Sequence, residues 1–475
     1  MKLKKTIALF LTVMICIMAF PVSVSAADYV KYKTANELVA DLTAGWNLAG
    51  SLESTDCWGP DDCLDYETGW GNPRTTKEMF VAVRKAGFNF VRIPVSWGVH
   101  MDKNGNIDKR WMDRVQEVVD YAYDEGLFVI INIQDPQLFL KFDKVNAEST
   151  KIFKNVWKQI SARFKNYNQR LIFESMNEPA DLELIEEGRF DEMFETINEL
   201  NKAFIETVRS SGGNNKNRLL MIPPFAADAD DDLGIFALEV PDDDKMIAVS
   251  IHEYTPYDFA LQEVSDVTKF TDDAKKAIDN VFAIIDEALL SKGIPVIMGE
   301  YGFFDRKNTS ERVKATKYYL SVAKKYGVPC AWWDGGVTET KIKEKRTEHG
   351  LLHRETYKWY FPEIVKAIID TAPESPVAST GKLKAPTGFK VTKTQTKITL
   401  KWDEVKGADA YRVYLYNEKT GKYETYKTVY TGVCNITDLK KGTKYKFKVT
   451  TLIKNSDGKY VAQTSSKAMS ATTNK

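Results

Sequence analysis

The 475-residue chain predicts an α/β fold, a (β/α)8 TIM barrel followed by a small all-β sandwich, and three observations carry that prediction. Between about residues 44 and 372, short apolar runs alternate with amphipathic stretches, the pattern of βα units around a parallel sheet. Several amphipathic stretches stop at glycine, as at Ala86-Gly87, Glu125-Gly126, Lys292-Gly293 and Tyr326-Gly327, where a left-handed C-cap costs least. Beyond residue 383 the apolar period shortens to two, which is the period of a half-buried strand.

Taken in order, residues 1–26 read as a signal peptide: Lys2, Lys4 and Lys5 lead into the apolar 7–20, and Val24-Ser25-Ala26 offers small residues for cleavage. The expectation is a secreted, extracellular protein with no membrane association once the leader is removed, since no apolar run reaches the roughly 20 residues of a span. Residues 27–372 form the predicted barrel domain. Its strands are expected at 45–49, 88–95, 127–133, 171–176, 219–222, 247–251, 294–298 and 328–333, and its helices at 76–86, 109–125, 150–166, 189–210, 271–291, 309–326 and 362–371. In 109–125, Trp111, Val115, Val118, Val119 and Ala122 fall on one helical face. The fifth unit is weak, because 228–232 is an acidic loop and only 233–239 reads as helix. Residues 373–383 are a Pro/Ser/Gly-rich linker, and 384–475 form the sandwich, with alternating strands at 398–402, 411–416 and 445–449.

Composition narrows the partner. Lysine plus arginine equals aspartate plus glutamate at 66 each, so no global field draws in nucleic acid or an anionic membrane, and a neutral polysaccharide suits the chain better. Four cysteines remain after the leader, Cys57, Cys63, Cys330 and Cys434, too few for a disulfide scaffold. Cys57 and Cys63 share one Gly/Pro/Asp-rich loop as a candidate pair, whereas Cys330 reads as buried. None of the four histidines has zinc-ligand spacing to another or to cysteine, so neither a metal nor a cofactor is expected. A monomer is expected.

Two strand tips carry the candidate chemistry. The run RLIFESMNEP ends at Pro179, which lacks the amide proton a ladder needs, and so sets Glu178 at a strand's C-terminal tip. IPVIMGEYG sets Glu300 at another. Barrel enzymes keep catalytic groups at that end, and two carboxyl groups facing one bond is the arrangement of glycoside hydrolysis. One carboxyl must then be protonated and the other ionised. Arg92, at the tip of VRIPV, is placed to hold one ionised, Tyr254 and Tyr301 to set a phenol beside one, and Asn177 to hold a sugar hydroxyl. Taken singly, either motif is an ordinary strand-to-helix turn; the pairing points to chemistry.

The stretches GWNLAGSLES from Gly45, ETGWGNPRTTKEMF from Glu67, FNFVRIPVSW from Phe88, RWMDRVQEVVDYA from Arg110, IFESMNEP from Ile172, HEYTPYDF from His252, IMGEYG from Ile297 and CAWWDGG from Cys330 resemble glycoside hydrolase family 5. The branch resembled holds secreted bacterial endoglucanases and xyloglucanases. The resemblance implies a retaining mechanism, with Glu178 as acid/base and Glu300 as nucleophile about 5–5.5 Å apart. It implies that Arg92 and Tyr254 contact the nucleophile, Asn177 the 2-hydroxyl, His252 the acid/base side and Trp333 the sugar face. Two departures stand out. Gln134-Asp135 replaces a His-His pair, exchanging a titratable group for an amide and adding a possible negative charge near the cleft. Leu48-Ala49-Gly50-Ser51-Leu52 replaces Leu-Gly-Asn-Thr-Leu, removing an amide from the first strand tip. The expected activity is endo-β-1,4-glucanase on cellulose, mixed-linkage glucan or xyloglucan. A β-mannanase and a catalytically weakened polysaccharide-binding protein are the alternatives. Trp58, Trp70, Trp97, Trp332, Tyr257, Phe303 and Phe304 stand open between stacking on sugar and packing loops. Finally, Pro386, Trp402 and the 436–445 stretch resemble a fibronectin type III domain, the last of these its tyrosine corner.

Overall fold

The computed structural model describes residues 31–55, 62–135, 140–142, 147–229, 232–373, 383–405, 408–454 and 460–475. The expected leader, most of the expected linker, Trp58 and Cys57 lie outside the described residues, and the pairing of Cys57 with Cys63 lies there with them. Eight strands, β1 (Ala44–Asn47), β2 (Phe90–Ile93), β3 (Phe128–Asn132), β4 (Leu171–Glu174), β5 (Leu220–Ile222), β6 (Ile247–His252), β7 (Val296–Tyr301) and β8 (Cys330–Trp332), close in sequence order into one barrel. All ladders are parallel, and Ala44 opposite Cys330 joins the last strand to the first. Each strand is buried on both sides, which is why the runs read as continuously apolar rather than alternating.

The seven predicted helices form at Lys77–Ala86, Lys109–Asp124, Ala147–Phe164, Phe190–Ser210, Asp272–Ala288, Thr309–Tyr326 and Pro362–Thr371. Trp111, Val115, Val118, Val119 and Ala122 are buried against the barrel, and the Asp108 carboxylate caps their helix by accepting from Arg110 N. Among the described residues the weak fifth unit holds a 3-10 turn, Phe225–Ala227, and one short helix, Asp232–Phe236. No helix among the described residues is long and apolar enough to cross a membrane.

Inside the barrel, Phe90, Phe128, Ile130, Ile172, Met221, Ala248, Ile297 and Ala331 form one cluster. Gly45 makes room for it, because a Cβ there would lie 2.2 Å from the Phe90 ring. A short unpredicted helix, Ala35–Val39, adds Leu38 and Val39 to this cluster and is anchored by Ala35 N donating to Lys245 O at 2.7 Å. Towards the C-terminal ends of the strands the residues two positions on turn polar. Asn47 follows Gly45, Arg92 follows Phe90, Asn132 follows Ile130, Glu174 follows Ile172, and Ser250 and His252 follow Ala248, all buried. A polar floor at one end of an apolar barrel is the setting of the site.

A short hairpin, β9 (Leu352–His353) and β10 (Lys358–Trp359), precedes the last barrel helix. The sandwich contains β11 (Thr387–Lys393), β12 (Ile398–Asp403), β13 (Ala410–Asn417), β14 (Lys422–Val429), β15 (Val433–Ile436), β16 (Lys444–Lys454), β17 (Tyr460–Ser465) and β18 (Met469–Thr472). One sheet runs β11-β12-β15 and the other β14-β13-β16-β17, with β18 also on β16. Ile398, Leu400, Trp402, Tyr411, Val413, Phe447 and Val449 fill the core between them. Tyr445 Oη accepts from Lys440 N at 2.8 Å, the corner bond its position predicts.

Candidate active site

Arg92 organises the polar floor. Its guanidinium is fully buried and donates to five acceptors: Nε to Glu174 Oε2 at 2.6 Å, Nη1 to Glu300 Oε1 at 2.7 Å and Asn47 Oδ1 at 3.2 Å, and Nη2 to Asn177 Oδ1 at 2.8 Å and Gln134 Oε1 at 3.4 Å. A buried charge costs least when every donor is met in this way. Glu174 also accepts from Ser250 Oγ and lies 3.5 Å from His252 Nε2. Burial alone would raise the Glu174 carboxyl, but the Arg92 and His252 charges outweigh it and hold it down at about 2.

Glu300 reaches this network through a break in register. Ile251 pairs with Met298 but His252 pairs with Glu300, so β7 carries one extra residue, Gly299, at its upper end. With strict alternation after Ile297, Gly299 would face the barrel axis and Glu300 would face outward. The bulge turns Glu300 inward. Gly299 fits because a Cβ on it would stand 2.8 Å from His252 Nε2 and 3.1 Å from Ser250 Oγ. Arg92 holds one Glu300 oxygen, and Tyr254 Oη donates to the other at 2.9 Å. Burial pushes the Glu300 carboxyl up, against the lowering pull of His252, Arg92 and the Tyr254 hydroxyl.

Glu178 arrives differently, past the end of β4, with 42 % of its side chain exposed. Its Oε1 lies 2.7 Å from His252 Nδ1, which is itself 3.6 Å from Glu300 Oε1. Burial depresses the His252 imidazole, but the Glu300 charge, with Glu174 and Glu178, outweighs this and holds it up at about 9. One oxygen of Glu178, one of Glu300 and a ring nitrogen of His252 all lie within 4.8 Å of one another. That closeness belongs with the short carboxylate spacing of about 5–5.5 Å, not the wider spacing that leaves room for a water between the groups. The same three groups have the reach of a cation site, but Arg92 already supplies a permanent positive charge 2.7 Å from the Glu300 oxygen, which opposes a metal ion there.

The structure brings Arg92, Asn177, Glu178, His252, Tyr254, Glu300 and Gln134 into one constellation, with Trp333 at the end of β8, partly exposed, its backbone N–H donating to Tyr301 O. Three expectations change and one open question closes. Asp135 adds no free charge to the cleft, because it is 8 % exposed and accepts from Ser96 Oγ and the N–H groups of Trp97 and Gly98. Tyr301 sets no phenol beside a carboxylate, being fully buried and stacked on Tyr319. Trp97, Trp332 and Phe303 are buried packing residues, with the two indoles donating to Asn132 O and His349 O. The first strand is less bare than its sequence implies. Asn47 supplies an amide to Arg92, and the Asn72 amide fills the space that a side chain at Gly50 would enter.

Asn47, Glu174, Ser250 and Gly299 are the parts that sequence reasoning missed. Glu174 had a signal: a carboxylate inside the apolar LIFESM run needs a buried partner, and Arg92 was the available one.

Residues 54–338 match the profile of the cellulase family, glycosyl hydrolase family 5, and residues 384–467 that of the fibronectin type III domain. The chain is 39% identical over 359 residues to Endoglucanase 1 of Ruminococcus albus, spanning 74% of this chain and 85% of that protein. It is 38% identical over 348 residues to Endoglucanase B of Neocallimastix patriciarum, spanning 71% of each. A solved family 5 lichenase from Caldicellulosiruptor sp. F32 superposes with a TM-score of 0.65 at 38% identity, covering 72% of this chain and 96% of that one. A broad-specificity endoglucanase from Ruminococcus flavefaciens gives 0.65 at 39% identity, covering 71% and 98%. With its closed eightfold barrel, its two strand-tip glutamates and this degree of likeness, the chain belongs to glycosyl hydrolase family 5 and is a cellulase-like glycoside hydrolase carrying a fibronectin type III domain.

Proposed function

We propose that the protein is a secreted, retaining endo-β-1,4-glucanase. The observation that carries this reading is the approach of Glu178, Glu300 and His252 to within 4.8 Å at the mouth of the barrel. In the first step Glu300 attacks the anomeric carbon and forms a glycosyl ester, while Glu178 gives its proton to the departing glycosidic oxygen. In the second, Glu178 takes a proton from water, the water oxygen attacks the anomeric carbon, and Glu300 leaves as carboxylate. Arg92 and Tyr254 fix both oxygens of Glu300, so attack costs little reorganisation. Protonated His252 offsets the negative charge that Glu178 gains between the steps. With its oxygen held by Arg92, Asn177 keeps its amide nitrogen as a donor for the 2-hydroxyl.

A glucan is favoured as substrate because the relatives above are named endoglucanases and a lichenase. Trp70, 46 % exposed after β1, and Tyr257, 60 % exposed after β6, supply ring faces for a sugar chain at the same end of the barrel as the glutamates. Initial rates on carboxymethyl cellulose, mixed-linkage glucan, xyloglucan and mannan, with the product anomer followed by NMR, test the reading. A β-anomer released first from a glucan is expected. Preference for mannan moves the protein to the mannanase reading, and binding without cleavage makes it a polysaccharide-binding protein.

A further inference from the structure

The neutral total charge conceals two opposed parts. Residues 384–475 carry 19 lysines and arginines against 7 aspartates and glutamates, a net charge of +12, and residues 1–383 hold the other 47 basic and 59 acidic side chains, a net charge of −12. The absence of an attractive field for anions therefore holds for the sum and fails for the sandwich. The basic side chains are also interleaved with aromatic ones on one face.

On β13, Tyr411 and Val413 are buried in the core, while Tyr414 and Tyr416 are partly exposed. On β16, Phe447 and Val449 are buried and Lys444, Lys446 and Lys448 alternate with them. Tyr416 stands directly opposite Tyr423 of β14, with ring centroids 5.2 Å apart. Lys446 Nζ lies 4.6 Å over the Tyr416 ring, and Lys448 Nζ lies 5.2 Å over Tyr414 and 5.0 Å over Tyr423. Glu418, paired with Lys446 at 3.1 Å, is the acidic side chain at the edge of this ladder.

We propose that this Tyr/Lys face of the sandwich is a second polysaccharide site, and that its ligand is an anionic, uronate-bearing chain. A uronate satisfies both kinds of group at once: its carboxylate pairs with the ammonium groups, and its apolar ring face packs on the phenols. A neutral glucan would have to displace Lys448 from two rings with no charge in exchange. Duplex nucleic acid would engage the lysines and leave the phenols unused, because its bases are stacked away inside. The acidic barrel repels such a polymer, so the sandwich alone would bring the chain to it. The proposal is independent of which glucan the barrel cleaves.

Affinity electrophoresis of the full chain in polygalacturonate gels tests it, beside gels of neutral β-glucan and titration with single-stranded DNA. Retardation by polygalacturonate that weakens with added salt is expected. Tyr414→Ala with Tyr416→Ala weakens it roughly tenfold, whereas the Phe pair, which keeps the rings, stays within a few-fold. Lys446→Gln with Lys448→Gln weakens it at least as much as the Ala pair, so the test survives if the Ala pair unfolds. Glucan hydrolysis stays unchanged in all three, since none touches the barrel site. Absence of retardation overturns the proposal. So does single-stranded DNA binding as tight as that of polygalacturonate and indifferent to the tyrosines, or neutral-glucan retardation that the Ala pair abolishes.

Discussion

β4 and β7 each end in a glutamate of the same site, and they deliver it by opposite means. β4 keeps its register through Glu174, which turns inward as buried support, and the chain then leaves the sheet so that Glu178 arrives on a turn, 42 % exposed. β7 stays in the sheet and shifts its register at Gly299, so that Glu300 arrives within the strand with 5 % of its side chain exposed. The difference matches what each group is proposed to do. A carboxyl that gives and takes a proton in every turnover needs access to leaving group and water, whereas a carboxylate that attacks carbon needs a fixed position.

The sharpest way to break this comparison is to remove each carboxylate in turn. Glu300→Gln is expected to lower kcat/KM by at least roughly 10^4-fold on polymer and on an aryl β-cellobioside alike. Glu178→Ala is expected to cost about 10^2–10^4-fold on polymer but far less on an aryl glycoside whose acidic phenol leaves without a proton. Equal losses on both substrates would remove the distinction between the two strands.

Next in size is the support beneath them. Glu174→Gln takes one partner from a fully buried ion pair, which costs about 3–5 kcal/mol. Glu178→Gln, on an exposed side chain, should cost less than about 1 kcal/mol. Denaturant midpoints of the two variants distinguish them, and similar midpoints would show that β4 does not divide its two glutamates between support and chemistry. Gly299→Ala follows. A methyl group 2.8 Å from His252 Nε2 displaces the imidazole or the bulge, with an expected loss of roughly 10^2-fold in kcat and largely unchanged KM. Wild-type kcat would mean that the bulge does not set Glu300.

The smallest effects are those of pH. His252 is held up at about 9, above its ordinary 6.5, so its contribution to stability is complete below 6.5 and is lost as pH rises through 9. Glu174 is held down at about 2, below its ordinary 4.5, so its contribution is present above 4.5 and is lost as pH falls towards 2. In pH–rate profiles the acid limb should lie above 4.5 because burial raises Glu300, and the His252 imidazole, followed by NMR, should keep its proton up to about pH 9. Glu174→Gln removes a negative neighbour of His252 and should move that titration down.

Much of this fold was legible because barrel strands are apolar on both faces and the long helices keep a strong period. The eight runs and seven helices all formed, with ends displaced by a few residues. Ala35–Val39 and the 352–359 hairpin were not legible, being too short for either period to register. In the site, Glu178 and Glu300 announced themselves through Pro179 and the flanking glycines. The bulge did not, since register belongs to two strands together and Gly299 alone looks like any glycine beside a site. Asp135 was misread because sequence gives proximity to a strand tip but not whether a carboxylate turns towards the cleft or caps a loop. The basic face of the sandwich was hidden by summing charge over the whole chain.

Arg92 ties together more than its charges. Its five bonds run to Asn47 on β1, to Gln134 beyond β3, to Glu174 and Asn177 at β4, and to Glu300 on β7, so a single side chain laces half the rim of the barrel like a hoop. In the proposed cycle Glu300 becomes a neutral ester, and a neutral oxygen holds a guanidinium more weakly than a carboxylate does. One tie of the hoop therefore slackens in every covalent intermediate and tightens again on release. The rim breathes in time with the chemistry, and amide exchange at the upper ends of β1 and β7 should quicken when the enzyme is trapped as its glycosyl ester.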